Sequence, residues 1–116
     1  MHRGEIYLVD LSSHVGSEQS GIRPALIVQN ERGNIHSPTT IICPLTSKQK
    51  PSLDTHVPLT PSDCGIIKES TVLCEQIRVI DKSRLKRKLG EVVNRQKIED
   101  INQKLMISIG IEIGVE

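Results

Sequence analysis

Short apolar runs separated by polar stretches fill most of this chain, and apolar residues recur at helical spacing only near its end. Glu5-Ile6-Tyr7-Leu8-Val9-Asp10 reads as a first strand, and Arg23 to Gln29 as a second, apolar enough to be central. Glu31-Arg32-Gly33-Asn34 reads as a turn. Thr39 to Thr46 gives a third strand, which Pro44, lacking an N–H, should end or bulge. Ser47 to Ser52 is polar and holds Pro51, a loop leading to a short strand around Thr55 to Leu59. Thr60-Pro61-Ser62-Asp63 suits a turn or the start of a short helix. From Glu69 to Ile80, Val72, Cys74, Gln76 and Arg78 alternate with Leu73, Glu75, Ile77 and Val79, the pattern of one long strand. Neither of its faces is cleanly apolar, which suits a ligand or partner surface.

Asp81 to Leu85 should turn, and Lys86 to Val93 fits neither period well. Asn94 is a good N-cap for a terminal helix whose stripe is Ile98, Ile101, Leu105, Met106 and Ile109, with Gly110 to end it. Many short strands, one helix at the end and no alternating βα pattern predict a mainly β fold with some α, in the α+β class. The expected form is a small antiparallel barrel with a C-terminal helix. The 116 residues fit a single domain over positions 1–116.

Composition narrows the chemistry. Phe and Trp are absent and Tyr7 is the only aromatic, so the core must be aliphatic and no row of aromatic platforms for stacking bases can be built. The net charge of +1 hides an uneven distribution: residues 76 to 104 hold nine Lys or Arg against four Asp or Glu. Within that stretch Arg84, Lys86, Arg87 and Lys88 form a tight run that can attract phosphate or simply face solvent. Cys43, Cys64 and Cys74 make an odd count, no Cys-x-x-Cys occurs and Met1 to Glu5 holds no apolar segment. These features predict a reduced, cytoplasmic protein with no membrane partner, and Cys43 and Cys74, inside apolar strands, read as small core hydrophobes. The four histidines lie far apart with no helical pair or cysteine neighbour, so neither a metal site nor any other cofactor is expected.

The stretch Gly16-Ser17-Glu18-Gln19-Ser20-Gly21-Ile22-Arg23-Pro24 brings an acid, an amide and an arginine to the mouth of the second strand. Pro24 biases Arg23 towards an extended conformation, so the loop is suited to present charge to a ligand. Together with Arg3-Gly4-Glu5-Ile6-Tyr7, Ile27-Val28-Gln29-Asn30, Ser37-Pro38-Thr39, Thr55-His56-Val57 and Leu73-Cys74-Glu75-Gln76-Ile77-Arg78, it resembles the MazF/PemK family of mRNA interferases. The resemblance runs in order along nearly the whole chain. Ser13 and Ser20 depart from it, standing where many relatives carry Pro and Gly.

The resemblance implies an SH3-like barrel, a homodimer, and a toxin neutralised by an antitoxin of the MazE type. It also implies sequence-specific cleavage of single-stranded mRNA without a metal. Such an enzyme uses the RNA's own 2′-hydroxyl as nucleophile, and needs a base and cationic donors for the phosphorane charge. Arg23 is the first candidate, because a planar guanidinium can grip two phosphate oxygens. Thr46 matches the family's second active-site position, although a threonine at a strand end often only satisfies nearby backbone. Glu18 is a candidate base ranked below Arg23, since a carboxylate so close to an arginine tends to stay ionised. Ser17, Gln19, Ser47, His56 and Gln76 can read the exposed edges of unpaired bases. Two other classes fit less well. A gyrase poison of the related CcdB type relies on a tryptophan that this chain lacks, and a non-catalytic nucleic-acid-binding barrel has no need of a poised Arg and Thr.

Overall fold

The computed structural model describes residues 1–12, 16, 18–48 and 53–112. Strand β1 (Glu5–Asp10) has the predicted bounds and pairs antiparallel with β2 (Ile22–Ile27). β2 is apolar on both sides: Leu26 joins one buried cluster with Ile6, Cys43 and Val72, and Ala25 and Ile27 join a second with Val9, Leu11 and Ile42. That double burial is what makes it central. Glu31 to Asn34 is not a turn but the start of helix α1 (Glu31–His36). Asn30 caps it, accepting from the Gly33 N–H at 2.8 Å, and Asn34 is buried in hydrogen bonds with Gln29 and Thr40.

Strand β3 (Thr39–Thr46) continues past Pro44 and does not end there. The proline acts on the ladder instead. Pairing of β2 with β3 stops at Ala25 opposite Pro44, and Pro24 is the next residue along β2. Neither proline can donate, so both strands run on past this point without pairing to each other.

β4 (His56–Leu59) and β5 (Ser70–Leu73) form the far side of the sheet, separated by α2 (Pro61–Cys64). The expected long strand over Glu69 to Ile80 is broken in two. β5 pairs with the tail of β3, a 3-10 turn follows over Cys74–Gln76, and β6 (Arg78–Asp81) pairs with the head of β3. Val72 lies opposite Leu45 and Arg78 opposite Ile42, so the turn absorbs three extra residues beside one continuous partner. Glu75 and Gln76 therefore do not alternate across a sheet.

A second 3-10 turn (Lys82–Arg84) leads into β7 (Leu85–Glu91), the strand that residues 86 to 93 left undecided, and β7 pairs with β1. The order β4-β5-β3-β2-β1-β7, with β6 also on β3, is a small SH3-like antiparallel barrel. Helix α3 (Arg95–Ser108) is capped by Asn94, whose Oδ1 accepts from the Gln96 N–H at 3.0 Å. Ile98, Ile101 and Leu105 pack on the barrel, while Ile109 falls outside the stripe, exposed beyond the helix end. Cys43, Cys64 and Cys74 are all buried. A hydrogen bond with the Cys74 thiol, and burial, push the Cys43 thiol far above its ordinary range, so it keeps its proton.

Asp63 ties α2 to the start of α3. It accepts from the Thr60 N–H at 2.9 Å and from Asn94 Nδ2 at 2.8 Å, and these bonds hold its carboxyl below the ordinary value of 3.8. A lowered folded pKa gives stability that is complete above 3.8 and lost as pH falls through the folded value. Asp63→Asn should therefore show a smaller loss of thermal midpoint between pH 5 and pH 3 than the parent protein. Equal losses would show that Asp63 carries none of the acid sensitivity.

Candidate active site

Beyond the last β2–β3 pair the two strands no longer pair with each other, and these ends form two walls of a cavity of about 800 Å³. Arg23 and Pro24 stand on the β2 side, Leu45 and Thr46 on the β3 side. Ala25 opposite Pro44 fixes the register, and continuing it two steps sets Arg23 across from Thr46. Two residues 23 positions apart are thus brought to one opening by ladder arithmetic and by two prolines.

Arg23 is held from its own loop. Its Nε donates to the Ser20 carbonyl at 2.8 Å and its Nη1 donates to Gln19 Oε1. The Gln19 N–H in turn donates to Gln76 Oε1 at 2.9 Å, which fastens the loop to the 3-10 turn after β5. Thr46 is 5% exposed, and its Oγ1 accepts from the Lys48 N–H at 3.2 Å. Acting there as acceptor, the hydroxyl keeps its own hydrogen to donate.

Of the other residues singled out in the sequence, Ser47 lines the cavity, and Gln19 and Gln76 lie beside Arg23 in the chain of bonds just described. Glu18 is exposed on the loop. Ser17 lies outside the described residues. His56 is turned elsewhere: its Nε2 sits 3.1 Å from Glu75 Oε2, its side chain is 7% exposed, and it is not part of the cavity wall.

The remaining wall joins part of the basic run to residues that no motif marks. Gly65 to Lys68 follow α2, Ser70 opens β5, and Arg87, Lys88 and Leu89 come from β7. Arg23, Lys48, Lys68, Arg87 and Lys88 give the lining five cations and no carboxylate. Lys88 is partly neutralised by Glu5 Oε2 at 2.8 Å and Glu91 Oε1 at 3.4 Å, and its bond to Glu5 raises its pKa. Burial pushes the Glu5 carboxyl up, but the Lys88 contact and a bond from the His2 N–H outweigh it and leave it lowered. The basic run that holds Arg87 and Lys88 was the legible signal for this wall. Such a cavity suits a polyanion held at phosphate, with apolar surface from Leu8, Leu45, Ile66 and Ile67 for sugars and bases.

A cleft lined by five cations, with Arg23 and Thr46 at its mouth, defines a site for a nucleic-acid backbone. Residues 2–109 match the PemK-like, MazF-like toxins of type II toxin-antitoxin systems, and the chain belongs to that family. It is 45% identical over 112 residues to Endoribonuclease MazF of Staphylococcus saprophyticus, an alignment covering 96% of this chain and 92% of that one. Among solved structures, an endoribonuclease in complex with its cognate antitoxin from a mycobacterial species superposes with a TM-score of 0.81 at 28% identity, covering 98% and 99% of the two chains. MazF from Deinococcus radiodurans gives 0.80 at 27% identity, covering 96% and 97%.

Proposed function

We propose that this endoribonuclease of the MazF-like toxins cuts single-stranded mRNA at a specific sequence without a metal, through attack of the RNA's own 2′-hydroxyl. The observation that carries the reading is the Arg23–Thr46 pair across the mouth of a cavity walled by cations. Arg23 grips the non-bridging oxygens of the scissile phosphate, and Thr46 donates a hydrogen bond to one of them. The 2′-oxygen forms a bond to phosphorus as the bond to the 5′-oxygen breaks. The 2′-hydroxyl proton passes to the Glu18 carboxylate, and the leaving oxygen takes a proton from solvent. A divalent cation would meet five positive side chains and no carboxylate in the lining. Ser17, Gln19, Ser47 and Gln76 read base edges, with His56 bracing Glu75 next to Gln76.

The chain acts as one toxin domain in the cytoplasm. Among the described residues no helix is long and apolar enough to cross a membrane. Its antitoxin is of the MazE type, and an acidic, largely disordered segment laid along the cationic cleft would exclude RNA. The active form is a homodimer, supported by the family and by the exposed Val79 on β6. Light scattering should give twice 12.9 kDa, and a monomer that still cuts RNA would refute this assembly.

Mapping the 5′ ends released from a long unstructured RNA tests the reading. Cuts should fall at one short word, carry 5′-hydroxyls and persist in EDTA. Cuts spread over all sequences, or abolished by EDTA, would contradict it.

A further inference from the structure

The loop between β1 and β2 carries Glu18 and Gln19, and its two ends meet at a neck. The Leu11 N–H donates to the Gly21 carbonyl at 2.9 Å, and the Gly21 N–H to the Ser12 carbonyl at 3.3 Å. Ser12 adopts φ +57°, a left-handed conformation that a residue with a Cβ keeps only when its surroundings hold it there. Part of that hold is local: the Ser12 N–H donates to Asp10 Oδ1 at 2.9 Å. The rest comes from the far end of the sequence. Arg84 closes the 3-10 turn before β7, and its Nη1 donates to the Asp10 carbonyl at 3.2 Å and to Ser12 Oγ at 2.5 Å. Arg84 belongs to the same basic run as Arg87 and Lys88, yet those two line the cavity and Arg84 does not.

We infer that Arg84 is a positioning residue that clamps the neck of this loop and so sets where Glu18 and Gln19 stand over the cleft. The inference rests on the ribonuclease reading of the cleft. The Arg23 backbone is paired opposite Val9 in the β1–β2 ladder, but its guanidinium is held by Ser20 and Gln19 of this loop. Loosening the neck should blur recognition of the RNA word, and because the loop also holds the Arg23 guanidinium it should slow cleavage of every RNA, without removing a phosphate contact. A direct phosphate contact from Arg84 would behave differently: its loss would weaken every RNA alike and flatten the salt dependence by about one charge.

The test is Arg84→Ala in the full chain, compared on the cognate RNA and on single-base variants of it over a range of salt. The expected result is about a tenfold narrower discrimination between cognate and variant RNA, with the salt slope and the thermal midpoint close to the parent's. Arg84→Lys, whose ammonium can still donate to the same oxygens, should recover part of the discrimination. Adding Ser12→Ala to Arg84→Ala should cost little more than Arg84→Ala alone. Hydrogen exchange at the Leu11 and Gly21 amides should accelerate in Arg84→Ala whatever the enzyme does to RNA, which separates failure of the clamp from failure of the ribonuclease reading. Unchanged exchange at both amides, or a uniform loss across all RNAs with a flatter salt slope, would overturn the assignment.

Discussion

Arg23→Ala is expected to lower the cleavage rate on the cognate RNA by on the order of a hundredfold or more while the protein stays folded. The cost falls on the transition state, because the phosphorane carries one more negative charge than the phosphodiester and the guanidinium is placed to meet it. Folding should be spared: among the described residues the Arg23 guanidinium bonds to its own loop, at Ser20 and Gln19, and the residue is half-buried. Arg23→Lys should recover little, since an ammonium is a point charge and cannot offer two parallel donors. Thr46→Ala should be impaired in the same sense. Wild-type turnover by Arg23→Ala, with an unchanged circular dichroism spectrum, would remove this residue from the chemistry.

The second large effect is on stability and comes from Gly90. In β7 it lies opposite Ile6, and a Cβ added there would meet the Cys64 carbonyl oxygen at 2.3 Å and the Ile66 Cγ2 at 3.2 Å. A carbonyl at the end of α2 cannot rotate aside like a flexible side chain. Gly90→Ala should therefore force β7 and the Gly65–Lys68 segment apart, at about 1–3 kcal/mol. Because both segments wall the cleft, RNA affinity should fall together with the thermal midpoint. A midpoint equal to the parent's would mean that the two segments do not approach this closely.

Local signals were read well and long-range ones poorly. β1 keeps the predicted bounds Glu5–Asp10, and the Asn94 cap and the Ile98–Ile101–Leu105 stripe define the terminal helix, because period and capping are properties of neighbouring residues. Helix α1 was hidden behind Gly33, which reads as a turn residue. Here it is needed because a Cβ at that position would press on the Gln29 amide at 2.8 Å. The 3-10 turn over Cys74–Gln76 was invisible because the alternation of Val72 to Val79 continues unbroken through it. Pro44 was legible as a disturbance, but its effect falls on the pairing of β2 with β3 and not on the course of β3.

For the site, the loop motif pointed to Arg23, and the family likeness to Thr46. Their meeting depends on a register that no stretch of sequence states. Lys68 and Ile67 carried no signal, coming from a segment whose only mark is the left-handed Gly65 after α2. Arg84 was legible as charge but not as a clamp, because its partners Asp10 and Ser12 lie more than seventy positions away.

The central claim is that the attacking oxygen belongs to the RNA and that the protein supplies charge and geometry around it. It is tested most directly with a cognate RNA in which only the ribose 5′ to the scissile phosphate is replaced by deoxyribose. The expected result is no cleavage at that bond under conditions where the all-ribose RNA is cut to completion, with a 2′,3′-cyclic phosphate or its hydrolysis product on the normal substrate. Cleavage of the deoxy-substituted RNA at the normal rate would contradict the account and assign the attack to an activated water.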